Sequence, residues 1–156
     1  MATFLLDTNA CIAIRNSFRG VQSKDAAKRA AHDRLIARWR GMQASDLAMS
    51  FVSLGELTVW VEKHTQAQQA RSLLDRLVQC VQVVGIPDDK EKGGAHAVAG
   101  KYGQVRAALE KQGSMIPHND LWIAAHALAL GLTVVTGDIS DFGRVPGLAV
   151  EDWTTP

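Results

Sequence analysis

Phe4-Leu5-Leu6-Asp7-Thr8-Asn9 decides how this chain is read. A short apolar run that stops on an acid and two small polar residues is a buried strand followed by the turn into a helix. Strands of that kind, apolar on both faces, belong to parallel sheets covered by helices. Three more runs carry the same signature: Leu47 to Phe51, Val81 to Ile86 closed by Pro87, and Leu132 to Val135. Leu148 to Glu151 is expected as a fifth strand at an edge.

Helical patterns fill the spaces between these runs. Ala10 to about Asn16 follows the first strand, with Thr8 or Asn9 able to cap it. Ala27, Ala31, Leu35 and Trp39 repeat at spacing four, which predicts a helix from Ala26 that Gly41 ends. Further helices are expected over Ser53–His64, Gln66–Leu77 and, after a polar opening at Asp88–Lys92, up to Gln112. Pro117-His118-Asn119 reads as a turn and cap before the helix Asp120–Leu130, which Gly131 closes. Strand–helix alternation predicts an α/β fold, a three-layer α/β/α sandwich around a central, mostly parallel sheet. With 156 residues and no linker, repeat or low-complexity segment, residues 1–156 are expected to form a single domain.

Four acids fall where such a sheet aims side chains at one place. Asp7 ends the first strand, and Glu56 lies in Ser53-Leu54-Gly55-Glu56-Leu57 after the second. Asp120 opens an alanine-rich helix, and Asp138 follows Thr136-Gly137 after the fourth strand, with Asp141 one turn later. Each has an ordinary reading: a cap, an exposed helix position, a favourable dipole contact, a turn residue. Together they form a group of like charges that calls for a cation. Oxygen-only donors suit Mg²⁺, with Mn²⁺ as the alternative. The chain therefore reads as a metal-dependent enzyme acting on phosphate.

Other chemistries fit less well. No glycine-rich phosphate loop or dinucleotide fingerprint is present. The five histidines and the two cysteines, Cys11 and Cys80, show no zinc spacing. No apolar run approaches the roughly 20 residues of a membrane span, and no signal peptide is visible, so a cytoplasmic protein with reduced thiols is expected. Between Arg15 and Arg40 eight basic residues face two acidic ones, whereas the remainder carries nine basic and fourteen acidic. A basic stretch beside an acidic site would attract a polyanion. A solvated basic helix face is the competing reading. The four tryptophans, Trp39, Trp60, Trp122 and Trp153, are expected as core or interface anchors.

The motifs, taken in order, resemble those of the PIN-domain family. Leu5-Leu6-Asp7-Thr8-Asn9 is similar to the family's opening, Ser53-Leu54-Gly55-Glu56-Leu57 to its second motif, and Asn119-Asp120-Leu121-Trp122-Ile123-Ala124-Ala125 to its third. Thr133-Val134-Val135-Thr136-Gly137-Asp138 through Asp141-Phe142, then Val145-Pro146-Gly147-Leu148 and Glu151-Asp152-Trp153, is similar to the C-terminal signature of VapC-type toxins. The resemblance implies an endoribonuclease of a bacterial toxin–antitoxin pair that cleaves structured RNA, with tRNA as one candidate. It implies Asp7, Glu56, Asp120 and Asp138 around Mg²⁺, Asp7 and Asp120 as its ligands, and Asp141 as an additional acid. Thr8, Asn9, Ser53 and Thr136 match small polar positions near such sites. It also implies a homodimer and a cognate VapB-like antitoxin, with no membrane partner. Competing readings are a non-catalytic RNA-binding or protein-interaction module on the same fold, or another Mg²⁺-dependent phosphodiesterase.

Overall fold

The computed structural model describes residues 1–87 and 94–156. The expected polar opening at Asp88–Lys92 lies outside the described residues. Five parallel strands form one sheet: β1 (Phe4–Leu6), β2 (Leu47–Ser50), β3 (Gln82–Val84), β4 (Thr133–Val135) and β5 (Val150–Glu151). Their order is β3-β2-β1-β4-β5. The helices are α1 (Thr8–Ser17), α2 (Ala26–Arg40), α3 (Phe51–Lys63), α4 (Ala67–Cys80), α5 (Gly94–Gln112), α6 (His118–Leu130) and the single turn α7 (Ile139–Phe142).

Alternation along each strand sorts the side chains into two cores. Leu6, Leu47, Met49 and Val135 point to one face, where they meet Ile14, Leu35, Leu57, Val61, Leu74 and Leu77 of α1 to α4. Leu5, Ala48 and Val134 point to the other, against Val105 and Leu109 of α5, Leu121, Ile123 and Ala124 of α6, and Phe142 of α7. This is the expected three-layer sandwich, and each layer of helices owes its place to one parity of the strands.

Strand order matters for function. The chain runs outward through β1, β2 and β3, then returns to lay β4 on the free side of β1. Adjacent strands β1 and β4 therefore lead to opposite sides beyond their carboxyl ends, and a crevice opens there. Asp7 stands at the end of β1, and Thr136 and Asp138 follow the end of β4.

Several boundaries differ from expectation, each for a local reason. Asp7, not Thr8 or Asn9, is the N-cap of α1, with its Oδ1 accepting from the Ala10 amide at 2.7 Å. The helix starts directly after the strand, so Thr8 is already in its first turn. Phe51 begins α3 instead of ending β2, because the Ser50 hydroxyl caps that helix at the Val52 amide. β3 is shorter than Val81–Ile86: Val81 still donates to Leu77 at the end of α4, and the strand lies at the sheet edge. The α6 cap is Pro117, which makes no side-chain bond, so Asn119 is free for another role. Gly131 closes α6 at φ 68°, a left-handed conformation that favours glycine.

The basic stretch is partly structural. Arg38 pairs with Glu151 at 2.8 Å and lies 5.2 Å from the centre of the Trp153 ring, and Arg34 donates to the Thr154 carbonyl at 3.2 Å. These bonds clamp α2 to the end of the chain. Trp153 is fully buried, packs edge-on against Phe4 and donates its indole N–H to Glu151. Cys11 is buried and Cys80 half-buried, both as free thiols. No helix among the described residues is long and apolar enough to cross a membrane.

Candidate active site

Asp7 is the most enclosed acid, with 2% of its surface exposed. The Thr136 hydroxyl and the Ala10 amide donate to it and favour its charged form, yet burial outweighs them and pushes its carboxyl up to about 6. Asp138 and Glu56 push in the same direction. The strand end thus places an acid where water is scarce, beside other acids.

Asp120 projects from the first turn of α6, half-buried. Burial, followed by the charges of Asp7, Glu56, Asp141 and Asp138, also raises it to about 6. The other four acids are thus near enough to Asp120 for their charges to act on it. Glu56, from α3, is held at both oxygens. The Thr8 hydroxyl donates to Oε2, and the Asn119 amide donates to Oε1 at 2.8 Å. Thr8 also lies 3.1 Å from the buried Ser53 hydroxyl. Asn9 is exposed at the rim.

The fourth motif divides its two acids. Asp138 caps α7, accepting from the Asp141 amide and from the Ser140 hydroxyl at 2.6 Å, and the Ser140 bond holds it below the usual carboxylate range. Its own amide donates to Thr136 at 2.8 Å. Asp141 instead lies 3.6 Å from the Arg144 guanidinium. Among the described residues, Asp141 is the only one of the five acids with a cationic partner.

Of the five acids, Glu56 and Asp120 line a groove of about 610 Å³, and Asp7, Asp138 and Asp141 do not. Glu56, Asn119 and Asp120 line one part of it, and Ile12, Arg15 and Trp60 another. Asn119 was read as part of a turn and cap and as the opening of the third motif, with no role of its own, although its place beside Asp120 in one helical turn is a signal for it. Arg15 and Trp60 carry no motif, and only the fold brings them to the groove.

Among the described residues no three His, Cys, Asp or Glu side chains converge to ligand distance. A closed protein cage is therefore absent from that part of the chain. Mg²⁺ does not need one: it commonly binds one or two carboxylates and keeps several waters. Asp7 and Asp120, both oxygen donors and both made costly to ionise by burial and by neighbouring acids, fit that mode.

The chain has relatives of known family. The PIN-domain family model matches residues 4–148. Ribonuclease VapC2 of Rickettsia felis is 31% identical over 150 residues, 96% of this chain and 97% of that protein. The chain belongs to the PIN-domain family, in its VapC ribonuclease branch. Nuclease activity, hydrolysis of phosphodiester bonds, goes with that membership. This PIN domain is also similar to the tRNA(fMet)-specific endonuclease VapC of Shigella flexneri, 30% identical over 99% of the chain and 100% of that protein. Among solved structures it resembles DNA-bound VapBC from Salmonella typhimurium, with a TM-score of 0.77, 27% identity and coverage of 98% and 99% of the two chains.

Proposed function

We propose that this PIN domain is a divalent-metal-dependent endoribonuclease, the toxin of a bacterial toxin–antitoxin pair, with Asp7, Glu56, Asp120 and Asp138 as its site. One observation carries the reading: Asp7 and Asp120 are both raised to about 6 by burial and by neighbouring acids, with no cation paired to either among the described residues. A group of acids kept at such a cost at a crevice of the sheet is explained by a bound divalent ion. Asp7 and Asp120 would hold Mg²⁺ or Mn²⁺. The ion, when bound, supplies positive charge for the scissile phosphate and lowers the pKa of bound water.

The protein's own groups do the positioning. The Ala10 amide and the Thr136 hydroxyl hold the Asp7 carboxylate at the end of β1. Thr8 and Asn119 fix Glu56, which is thereby set to orient a water beside Asp120. Asp138 is pinned by Ser140 and completes the negative rim, and Asp141 is drawn toward Arg144. No histidine of the protein is needed as a base.

Structured RNA, with tRNA as the first candidate, is the substrate we infer, since a relative 30% identical over nearly the whole chain is a tRNA(fMet)-specific endonuclease. A VapB-like antitoxin is inferred from the similarity to the Salmonella VapBC complex, and a homodimeric state from the resemblance to VapC-type toxins. The deciding experiment incubates purified protein with end-labelled tRNA, with Mg²⁺ and with EDTA. Discrete cleavage products that vanish with EDTA and in Asp120→Asn are expected. Equal cleavage in EDTA, or by Asp120→Asn, would overturn the assigned site.

A further inference from the structure

Arg15 occupies the last turn of α1 and is only 6% exposed. Its guanidinium carbon lies 3.8 Å from the centre of the Trp60 ring, and His64 meets the same ring edge-on at 5.0 Å. Nε and Nη2 reach Asn16 Oδ1 at 3.4 and 3.1 Å. Nη1 has no hydrogen-bond partner among the described residues, and no carboxylate there lies within 4.0 Å of the guanidinium. No side-chain nitrogen of the described protein is both sealed from solvent and unpartnered, so Nη1 opens onto water. Arg15 and Trp60 also line the groove, together with Glu56, Asn119 and Asp120.

An arginine held this way is unusual beside a group of acids. A flexible cation would swing to the nearest carboxylate. The Trp60 face and Asn16 hold it back, at a cation–π separation well inside the roughly 6 Å limit for such contacts. The result is a fixed, charged fork in the lining of the groove, a donor set suited to phosphate oxygens. Ile12 and Leu57 add apolar surface to the same groove, and Asp120 lines it too.

We propose that Arg15, braced on Trp60, is a substrate-binding residue that takes an RNA backbone phosphate flanking the cleaved one. This deepens the ribonuclease reading and rests on it. A polyanion entering the groove must approach several carboxylates, and a cation placed along the same path both offsets that repulsion and sets the register of the strand. Arg15 would do so without ion-pairing to the acids it serves.

The test uses full-length protein and bulk tRNA in EDTA, where binding is measured without cleavage, across a series of salt concentrations. Arg15→Gln should weaken tRNA binding by about tenfold, as loss of a charged hydrogen-bonded contact does. It should also reduce the slope of log K against log[salt] by roughly 0.7–0.9, one phosphate's worth. Arg15→Lys keeps the charge without the fork, so it should retain the slope while losing part of the affinity, and it serves if the Gln variant fails to fold. With Mg²⁺, the Lys variant should raise KM and leave kcat near wild type. A Gln variant with wild-type slope and affinity would overturn the proposal. So would a Lys variant with unchanged KM, or a Gln variant impaired only in binding the antitoxin. Wild-type protein that neither binds nor cleaves tRNA would instead sink the ribonuclease reading beneath it.

Discussion

Asn119 donates to Glu56 across 2.8 Å and so ties the first turn of α6 to α3. The other oxygen of Glu56 is held from α1 by Thr8. Three helices from separate parts of the chain thus fix one carboxylate. Losing a group that orients a site acid commonly costs about 10–100-fold in metal affinity or activity. Asn119→Ala should therefore lower RNA cleavage by about tenfold. Its melting temperature should barely change, because Asn119 is exposed. Steady-state cleavage and a thermal melt, run on the same preparation, separate the two effects.

Asp7 has two duties that one substitution divides. Its Oδ1 caps α1, and its charge belongs to the acid group. An asparagine amide oxygen caps a helix about as well as a carboxylate. Asp7→Asn should keep the fold and its far-ultraviolet circular dichroism, yet reduce cleavage by at least about 100-fold through loss of the metal's charge partner. Calorimetric titration with Mn²⁺ should show the same loss of binding. Cleavage within about twofold of wild type, set against the losses expected for a metal site, would remove Asp7 from the mechanism.

Arg34 and Arg38 are committed to the C-terminal clamp, through Thr154 and Glu151. Replacing both with alanine should leave the salt slope of tRNA binding unchanged, in contrast to Arg15. The Arg38–Glu151 pair is substantially exposed, so its loss should cost no more than about 1 kcal/mol. Trp153 is different. Truncating a fully buried tryptophan to alanine should cost about 3–5 kcal/mol and lower the denaturation midpoint accordingly. A reduced salt slope in the double arginine variant would show that α2 meets RNA after all.

How far the sequence foretold this molecule depended on the range of the signal. Strands β1, β2 and β4 are apolar runs buried on both faces, and such runs are visible locally. Gly131 needs a left-handed backbone, and its position marked the end of α6. Asp7 and Asp138 stood out because they follow strands β1 and β4, whereas Glu56 and Asp120 lie within α3 and α6. Boundaries failed where two local partners competed: Ser50 drew Phe51 into a helix, and Asp7 took the cap that Thr8 or Asn9 could have supplied. Arg15, Trp60 and Asn119 were not legible as site residues. Their roles come from packing between α1, α3 and α6, and no spacing within the chain encodes that meeting. In the basic stretch, charge alone does not reveal that Thr154 and Glu151 lie within reach of Arg34 and Arg38 on α2.

The raised carboxyls make a prediction about pH. Asp7 and Asp120 both move from an ordinary value of 3.8 to about 6 on folding, chiefly through burial. Between those values the folded protein holds protons that the unfolded chain has released. Stability of the metal-free protein from these groups must therefore fall as pH rises from about 4 to about 6, and the penalty is complete above that. Asp138 has the opposite sign, since Ser140 lowers it, and its contribution is lost only at more acid pH. His126 also opposes the trend: burial lowers it, so the unfolded chain gains a proton first as pH drops below 6.5. A raw melting curve would mix these effects, so the measurement is the difference between Asp120→Asn and wild type at each pH. That difference should be near zero at pH 4. It should become positive by pH 7, by roughly 2–4 °C for each kcal/mol of repulsion and desolvation relieved. Mg²⁺ should shrink it by stabilising only the wild type. A mutant that melts below wild type at pH 7 without metal would mean that the favourable dipole contact of Asp120 at the start of α6 outweighs its repulsion by Asp7 and Glu56.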